Sequence, residues 1–502
     1  MRLDRLMEAD KTRVVESLMT RAGFGLFQFR LLLLCGLAQV GAYACAVGGL
    51  IAGPLYAEEI GVDAQWLVWP EWLMRFALAW TAGLVVDKFG RVPSIFAFLT
   101  FGTMFQLVSC FATAVELYVV CRTFGNFFIG ALQVAVYVFV AEICPKASRS
   151  RALFFLVLAD CIGTLVGCAV MILPTAVPWR TRLVYTCIPL GLAGLLALCY
   201  LRKDSVKYMV LSGRAAGAYR HLTQIASTNG RPPNVIDPSG QSEFARVLAS
   251  VSVSPRHRGR FTELWGNKAA VGLVVVCGLQ AIAYWGAMSA LPQMYRDWDT
   301  ESSFNIEVLL LLFVFELVGV VAAAVLSFKV GPAKALLWFA AAGAALVALL
   351  VISLALNARW FRSASLCGTF ACLTPVWGIL FVLTTEAFSP QYRGLGLGFA
   401  ISTRILQGLL EVCLPYELEA WVPVLFAGIA VFALIGIVYV AKRSLATLTA
   451  PLQAMGSPSP FSTIGSPKLS RCMTSPTPRT LTPIDVRHTE WSLGDAHVLR
   501  PY

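Results

Sequence analysis

The chain has 502 residues, of which 58% are hydrophobic and 14% charged. Soluble domains carry roughly 25% charged residues, so this balance excludes an ordinary soluble protein and points to an integral membrane protein. The net charge of +12 fits basic cytoplasmic loops better than nucleic-acid binding in such a chain. Residues 1–28 are polar and basic (Arg2, Arg5, Lys11, Arg13, Arg21), lack the short apolar core of a signal peptide, and read as a cytoplasmic segment. Apolar runs follow at about 31–57, 66–86, 93–114, 117–141, 152–174 and 182–201. Each is close to the ~20 residues a helix needs to cross a bilayer. A polar stretch, 202–268, interrupts the series. Six more runs follow at about 269–295, 304–327, 333–356, 364–387, 394–414 and 421–441. The tail, 442–502, is rich in Ser, Thr and Pro, as in Ser457-Pro458-Ser459-Pro460. With so little apolar surface to bury, it is expected to be disordered.

Loop charges orient the chain. One face carries Lys88, Arg91, Lys146, Arg149, Arg151, Lys329, Lys334, Arg393, Lys442 and Arg443, together with the basic 202–268 stretch. The other carries Glu58, Glu59, Asp63, Glu116, Asp297, Asp299, Glu301, Glu417 and Glu419. This bias predicts that both termini and the central stretch are cytoplasmic. Arg180, Arg182, Arg359 and Arg362 run against it. The 14 cysteines are scattered, mostly inside apolar runs, and read as small buried hydrophobes. The four His show no metal-ligand spacing, and no phosphate loop or nucleophile–base set is visible. Enzyme chemistry and ATP-driven pumping are therefore not expected, and no cofactor or metal is called for.

The stretch Gly83-Leu84-Val85-Val86-Asp87-Lys88-Phe89-Gly90-Arg91 is a charged turn between two membrane-length runs. Asp87 is expected to cap the helix that follows. A repeat appears further on: Glu142-Ile143-Cys144-Pro145-Lys146-Ala147-Ser148-Arg149 closes the fourth run, and Glu386-Ala387-Phe388-Ser389-Pro390-Gln391-Tyr392-Arg393 closes the tenth, with the same Glu-to-Arg spacing. The counterpart of the first turn in the second half is eroded to Phe328-Lys329-Val330-Gly331-Pro332.

The G-x-x-x-D-x-x-G-R spacing at Gly83–Arg91 resembles the loop between the second and third spans of major facilitator transporters. The signature's usual second basic residue is replaced here by Val92-Pro93. Gly23-Phe24-Gly25-Leu26-Phe27-Gln28, Asp204-Ser205-Val206-Lys207-Tyr208-Met209-Val210-Leu211-Ser212-Gly213 and Tyr392-Arg393-Gly394-Leu395-Gly396-Leu397-Gly398 with Arg404 resemble the synaptic vesicle protein 2-related branch, near the organic ion transporters. The resemblance covers about residues 22–445. It implies an all-α polytopic membrane protein with twelve transmembrane helices in two six-helix halves, alternating access, and a small organic solute. The branch tends to carry acidic residues in the first span, but Ala42-Tyr43-Ala44-Cys45-Ala46 has none. That departure puts cation selectivity and proton coupling in doubt.

Charges inside spans cost at least ~2.5–3.5 kcal/mol each and ask for a reason. Asp87, Arg91, Glu142, Arg149 and Arg151 lie at cytoplasmic span ends, with Glu386, Arg393, Lys329 and Lys334 as their counterparts. These residues fit a gating latch, and equally loop packing and capping; only gating requires the pairs to break. Glu71 and Arg75, four apart, are expected to neutralise each other. Arg122, near Gly125 and Gly130, fits either helix packing or pocket charge. Asp160, Glu316, Arg404 and Glu411 are candidate solute contacts, Arg404 and Glu411 being about two turns apart on one face. Arg404 would hold a carboxylate through its planar fork, unless Glu411 or a carbonyl occupies it. Asp160 or Glu316 would take a proton or an amine. Tyr43, Tyr137, Tyr284, Trp285 and Trp377 are candidate lining residues, with packing or belt roles as the alternative.

The resulting expectation divides the chain into a cytoplasmic N-terminal segment (1–28), an N-terminal six-helix half (29–201), a cytoplasmic central loop (202–268), a C-terminal half (269–441) and a cytoplasmic tail (442–502). The expected function is a secondary transporter or facilitator of a small organic solute. An organic anion is favoured by Arg404, Arg122 and the missing first-span acids. The alternative is a transport-inactive relative acting as a sensor, receptor or trafficking partner. The expected partners are the solute, membrane lipids and a coupling ion of unknown identity; a monomer in plasma or vesicle membrane completes the expectation.

Overall fold

The computed structural model describes residues 14–62, 64–174, 176–232, 268–292, 294, 306–388, 392–413 and 424–435. Among them every regular element is an α-helix. A short helix α1 (14–22) precedes six long ones: α2 (Leu26–Ile60), α3 (Ala64–Phe89), α4 (Arg91–Phe111), α5 (Val115–Ile143), α6 (Lys146–Met171) and α7 (Trp179–Tyr200). The polar central stretch opens with two helices, α8 (Val206–Leu211) and α9 (Ala215–Thr228). The second series is α10 (Lys268–Met288), α11 (Ile306–Val330), α12 (Pro332–Ala355), α13 (Arg359–Ala387), α14 (Arg393–Cys413) and α15 (Val424–Ile435). Each apolar run of the sequence thus becomes a helix. The tail beyond 435 lies outside the described residues.

Nine of the described helices are long and apolar enough to cross a membrane. The more polar α3 and α14 are not among them. They pack on each other, which covers polar groups such as the Asp87 carboxylate. The contact is made by small residues. A Cβ at Gly83 would strike the backbone of Gly394, one at Gly398 the backbone of Ala79 and Trp80, and one at Gly408 the ring of Trp72. Without a hydrophobic drive between helices in lipid, close packing of this kind holds them together. The same device sets Gly163 and Gly167 of α6 on the backbone of α2, and Gly319 of α11 on Ala371 of α13. Gly378 of α13 packs on Val157 of α6, and Phe328 of α11 on Phe154 of α6, rings 5.7 Å apart. The two helix series therefore meet through α3 with α14 and through α6 with α11 and α13.

The turn between α3 and α4 departs from expectation. Asp87 does not cap α4. Its carboxylate crosses to the second series and accepts from the Gly394 and Leu395 amides at the start of α14, at 3.3 and 3.0 Å. The cap of α4 comes from Asp204, after the sixth span: its Oδ1 accepts from the Arg91 and Val92 amides at 2.9 and 3.1 Å. Losing a carboxylate cap costs about 1 kcal/mol. Asp204→Ala is therefore expected to lower the melting temperature measurably in detergent, with Asp204→Asn restoring most of the loss. Gly90 holds φ at 108° and Gly331, in the matching turn between α11 and α12, at 89°. That backbone is costly for any residue with a Cβ. The turn geometry is thus repeated where the charged residues are not.

The arginines that run against the charge bias are held at helix ends. Arg182 donates to the carbonyls of Met171, Pro174 and Val177 at 3.0, 2.9 and 2.8 Å, where α6 ends with unpaired acceptors. Arg180 donates to the Ala112 carbonyl at 2.6 Å and sits 3.5 Å from Glu59. Arg362 bonds Asn357 at 2.8 Å.

Candidate functional site

Two polar clusters join the helix series. The first lies at the ends of α3, α5 and α14. Glu142, completely buried on α5, accepts from Arg91 at 2.8 Å, lies 3.8 Å from the Arg393 guanidinium, and accepts from the Ser205 hydroxyl. Arg91 also pairs with Asp87 at 3.3 Å, one turn back, and its guanidinium stands 4.6 Å from the centroid of the Tyr208 ring. Arg393 is anchored by the Thr385 carbonyl at 2.9 Å. Asp87, Arg91, Glu142 and Arg393 therefore form one network across the two series, as charge and spacing suggest.

The remaining latch candidates go elsewhere. Arg149 pairs with Glu16 of α1, and Lys207 of α8 reaches the same carboxylate at 2.5 Å. Arg151 is exposed and outside the network. Glu386 is exposed and makes no ion pair among the described residues, and Lys329 and Lys334 lie on the surface. Among the described residues the second half thus shows no network of its own, and its Arg393 is spent on Glu142 in the first. Glu16, Asp204, Ser205 and Tyr208 were not legible as members, because they come from segments outside the apolar runs. These segments form a small core of their own: Val15, Leu18 and Met19 of α1 pack with Val206, Met209, Leu222 and Ile225 of α8 and α9.

Three cations crowd Glu16. Burial, together with the nearby Arg149 and Arg393 charges, pushes Lys207 from its ordinary 10.5 down to about 7, while Lys207 and Arg149 hold the Glu16 carboxyl below its usual range. Between those two values the folded chain binds fewer protons on Lys207 than the unfolded chain does. Stability therefore rises with pH from about 7 upward and is reduced below it. Lys207→Met is expected to flatten this part of the profile, read as the difference in melting temperature from the native chain across the window.

The second cluster lies deeper, between α2, α3, α5, α6, α10, α11, α13 and α14. Half-buried Arg404 of α14 donates to the Tyr43 hydroxyl of α2 at 2.6 Å. Its guanidinium stands 5.6 Å from the Tyr43 ring centroid, 5.7 Å from that of Trp377 and 5.8 Å from that of Phe381. Gln133 of α5 donates to the same Tyr43 hydroxyl at 2.8 Å. Buried Asp160 of α6 accepts from Tyr137 at 2.8 Å and from Gln133 at 3.5 Å, and its second oxygen has no partner. Buried Glu316 of α11 accepts from Tyr284 at 2.5 Å and from Thr374 at 2.8 Å. Both acids lie within electrostatic range of Arg404, but neither is in ion-pair contact with it. The Trp377 indole N–H is buried without an acceptor. The structure therefore brings together Arg404, Asp160, Glu316 and Tyr284, with Tyr43, Tyr137 and Trp377. Gln133, Thr374 and Phe381 complete the group and were not anticipated. Gln133 stands one turn from Tyr137, which is the signal that would have found it. Trp285 is buried away from these contacts, and the Glu411 side chain lies outside the described residues.

Arg122 belongs to another cluster, and the expected Glu71–Arg75 pair does not form. Glu71 turns instead to Arg122, 3.3 Å away, and to Asn126, while Arg122 also donates to Gln106. Gly49 of α2 makes room for that guanidinium, since a Cβ there would overlap it. Among the described residues Arg75 makes no hydrogen bond or ion pair, and its Cζ stands 5.2 Å from the Trp72 ring centroid.

A family model described as "Sugar (and other) transporter" matches residues 72–457. The chain is 26% identical to the synaptic vesicle 2-related protein of Xenopus laevis over 314 residues, 59% of this chain and 53% of that one. It is 29% identical to the Bos taurus protein of the same name over 238 residues, 44% and 41% of the two chains. The chain spans about half the length of these relatives. Among solved structures it resembles the proton:xylose symporter XylE bound to 6-bromo-6-deoxy-D-glucose, with TM-score 0.69 and 15% identity over 82% of this chain and 95% of that one. The partially occluded inward-open XylE from E. coli gives TM-score 0.56 at 16% identity, covering 89% of this chain and 100% of the other. The family model and the solved structures are those of transporters and not of enzymes, and the fold is the twelve-helix major facilitator one. The chain belongs to the sugar (and other) transporter family: it is a multi-pass membrane protein of the major facilitator fold that resembles the synaptic vesicle 2-related proteins.

Proposed function

We propose that the chain is a secondary transporter that moves a small organic anion across a membrane by alternating access. The observation that carries this reading is Arg404. It is a half-buried cation that reaches one hydroxyl and three aromatic faces but, among the described residues, no carboxylate in ion-pair contact. An intramembrane charge at the meeting of two helix series, with no described carboxylate in contact, is placed to take a counter-ion from a solute. Asp160 and Glu316, held only by neutral donors, are the carboxyls available to accept a coupling proton or an amine. The network of Asp87, Arg91, Glu142 and Arg393 acts as the latch on the basic face, which faces the cytoplasm together with both termini. It holds the halves together there and breaks as the site opens to that side. A neutral, hydroxyl-rich solute is the second reading. It is favoured by the xylose named for the structural neighbour and by buried polar atoms without partners on Gln39, Gln280 and Trp377.

The test is uptake by proteoliposomes carrying the full chain, offered carboxylates, amines, sugars and nucleosides. Uptake of a carboxylate that is lost in Arg404→Gln is expected. Uptake of an amine lost in Asp160→Asn or Glu316→Gln reverses the charge preference. Sugar uptake that survives Arg404→Gln establishes the second reading. No uptake by well-folded protein moves the weight to a transport-inactive sensor, receptor or trafficking partner.

A further inference from the structure

The pairing of Glu71 with Arg122 and Asn126 leaves Arg75 as a second intramembrane cation with no counter-ion in contact among the described residues. It makes no hydrogen bond or ion pair with a described residue, its Nε is buried without an acceptor, and its side chain stays half-buried beside Trp72. Its position is fixed by the antiparallel packing of α3 on α14. Gly408 lies on Trp72, Gly398 on Ala79 and Trp80, and Gly394 on Gly83. By that register Arg75 stands level with Arg404. The face it addresses is the one already described. A Cβ at Gly130 of α5 would lie 3.8 Å from the Arg75 Nε, and Gly130 is one turn from Gln133, which bonds Tyr43 and Asp160. Arg75 is within electrostatic range of Tyr43, Glu71 and Arg404, and Arg404 donates to the Tyr43 hydroxyl. Among the described residues no acid is in ion-pair contact with either guanidinium: Glu71 bonds Arg122 and Asn126, Asp160 bonds Tyr137 and Gln133 with its second oxygen unpartnered, and Glu316 bonds Tyr284 and Thr374.

We propose that Arg75 and Arg404 together bind a small organic solute bearing two acidic groups, one held by each guanidinium. This rests on the anion reading above and narrows it. Two like charges at one level of a membrane interior repel each other and gain most from a single ligand that answers both. A planar fork suits a carboxylate bidentately. Arg75 thereby becomes a specificity-determining residue, separating dianions from monoanions, while Arg404 serves both.

The test measures binding of succinate, glutarate and adipate, and of monocarboxylates of matched length, to the full chain in nanodiscs. The native protein is expected to bind the best dicarboxylate at least about tenfold tighter than its monocarboxylate partner. Arg75→Gln is expected to erase that preference and leave monocarboxylate binding intact, whereas Arg404→Gln removes both. Arg75→Lys, which keeps the charge but not the fork, is expected to retain part of the preference. A readout without substitution uses an arginine-selective dicarbonyl reagent on the native chain, with modified residues mapped by mass spectrometry. Glutarate should protect Arg75 and Arg404 together, and the monocarboxylate only Arg404. If a monocarboxylate binds through Arg404 while the dicarboxylates gain nothing and leave Arg75 unprotected, the two-arginine site is overturned and the anion transporter stands. If no carboxylate binds or protects either arginine, both fall.

Discussion

Replacing Arg404 by glutamine is expected to reduce solute uptake by about a hundredfold or more, while the protein stays folded. Removing one partner of a buried charged contact costs about 2–5 kcal/mol, so the hundredfold lies well inside that range. Folding should survive because, among the described residues, no carboxylate is left behind in ion-pair contact. Arg404 holds only the Tyr43 hydroxyl and three ring faces, and Tyr43 keeps the Gln133 amide at 2.8 Å. The measurement is the ratio of kcat to KM for uptake, beside the melting temperature of the same preparation. A large fall in uptake with an unchanged melting temperature marks a solute contact. A parallel collapse of both marks a packing role and sinks the assignment.

Replacing Glu142 by glutamine is expected to have the largest effect on the conformational balance. Its carboxylate is completely buried and serves Arg91, Arg393 and the Ser205 hydroxyl at once. Breaking a buried ion pair by removing one partner costs about 3–5 kcal/mol, because the other charge stays behind. Here two guanidinium groups lose their shared anion, one on each helix series. The cost falls on the arrangement in which the series touch and is absent once they part. The shift amounts to about a hundredfold or more in population toward the open latch. Leu395 reports on it: it is 3% exposed, and its amide bonds Asp87. A Leu395→Cys thiol, placed in a chain in which Cys199, the exposed cysteine among the described residues, and also Cys413 and Cys472 are replaced by Ser, should react slowly with a polar thiol reagent and much faster after Glu142→Gln. Arg393→Gln should act in the same direction more weakly, since the Arg91–Glu142 pair at 2.8 Å remains. If the reaction rate stays unchanged while the melting temperature falls, the network only packs the loops and does not gate.

The helix pattern was readable because it is local. Runs of apolar residues fix the spans, and the charge bias between faces fixes the expected orientation. The exceptions are informative: Arg180 and Arg182 lie on the acidic face because carbonyls at helix ends need donors. Pairing was far less readable. Spacing within a helix suggested Glu71 with Arg75 and Asp87 with the start of α4. The structure gives Glu71 to Arg122, 51 residues away, and Asp87 to amides 307 and 308 residues away. Buried charges take the partner that best replaces water, and helix packing offers several candidates at similar range. Gly83 shows the same limit. It reads as part of a turn motif, yet its lack of a side chain is required by the Gly394 backbone lying against it.

The sequence by itself determined the membrane class, the succession of helices, the turn glycines and the set of residues able to carry charge into the membrane. Each of these follows from composition or from spacing along one helix. Only the tertiary structure decided which of those charges neutralise one another and which are left over. The α3–α14 packing brings Asp87 to Gly394 and sets Arg75 level with Arg404, and α5 draws Glu142 to arginines of both series. Partner choice depends on distance and burial between helices far apart in the chain, and no spacing along one helix encodes it.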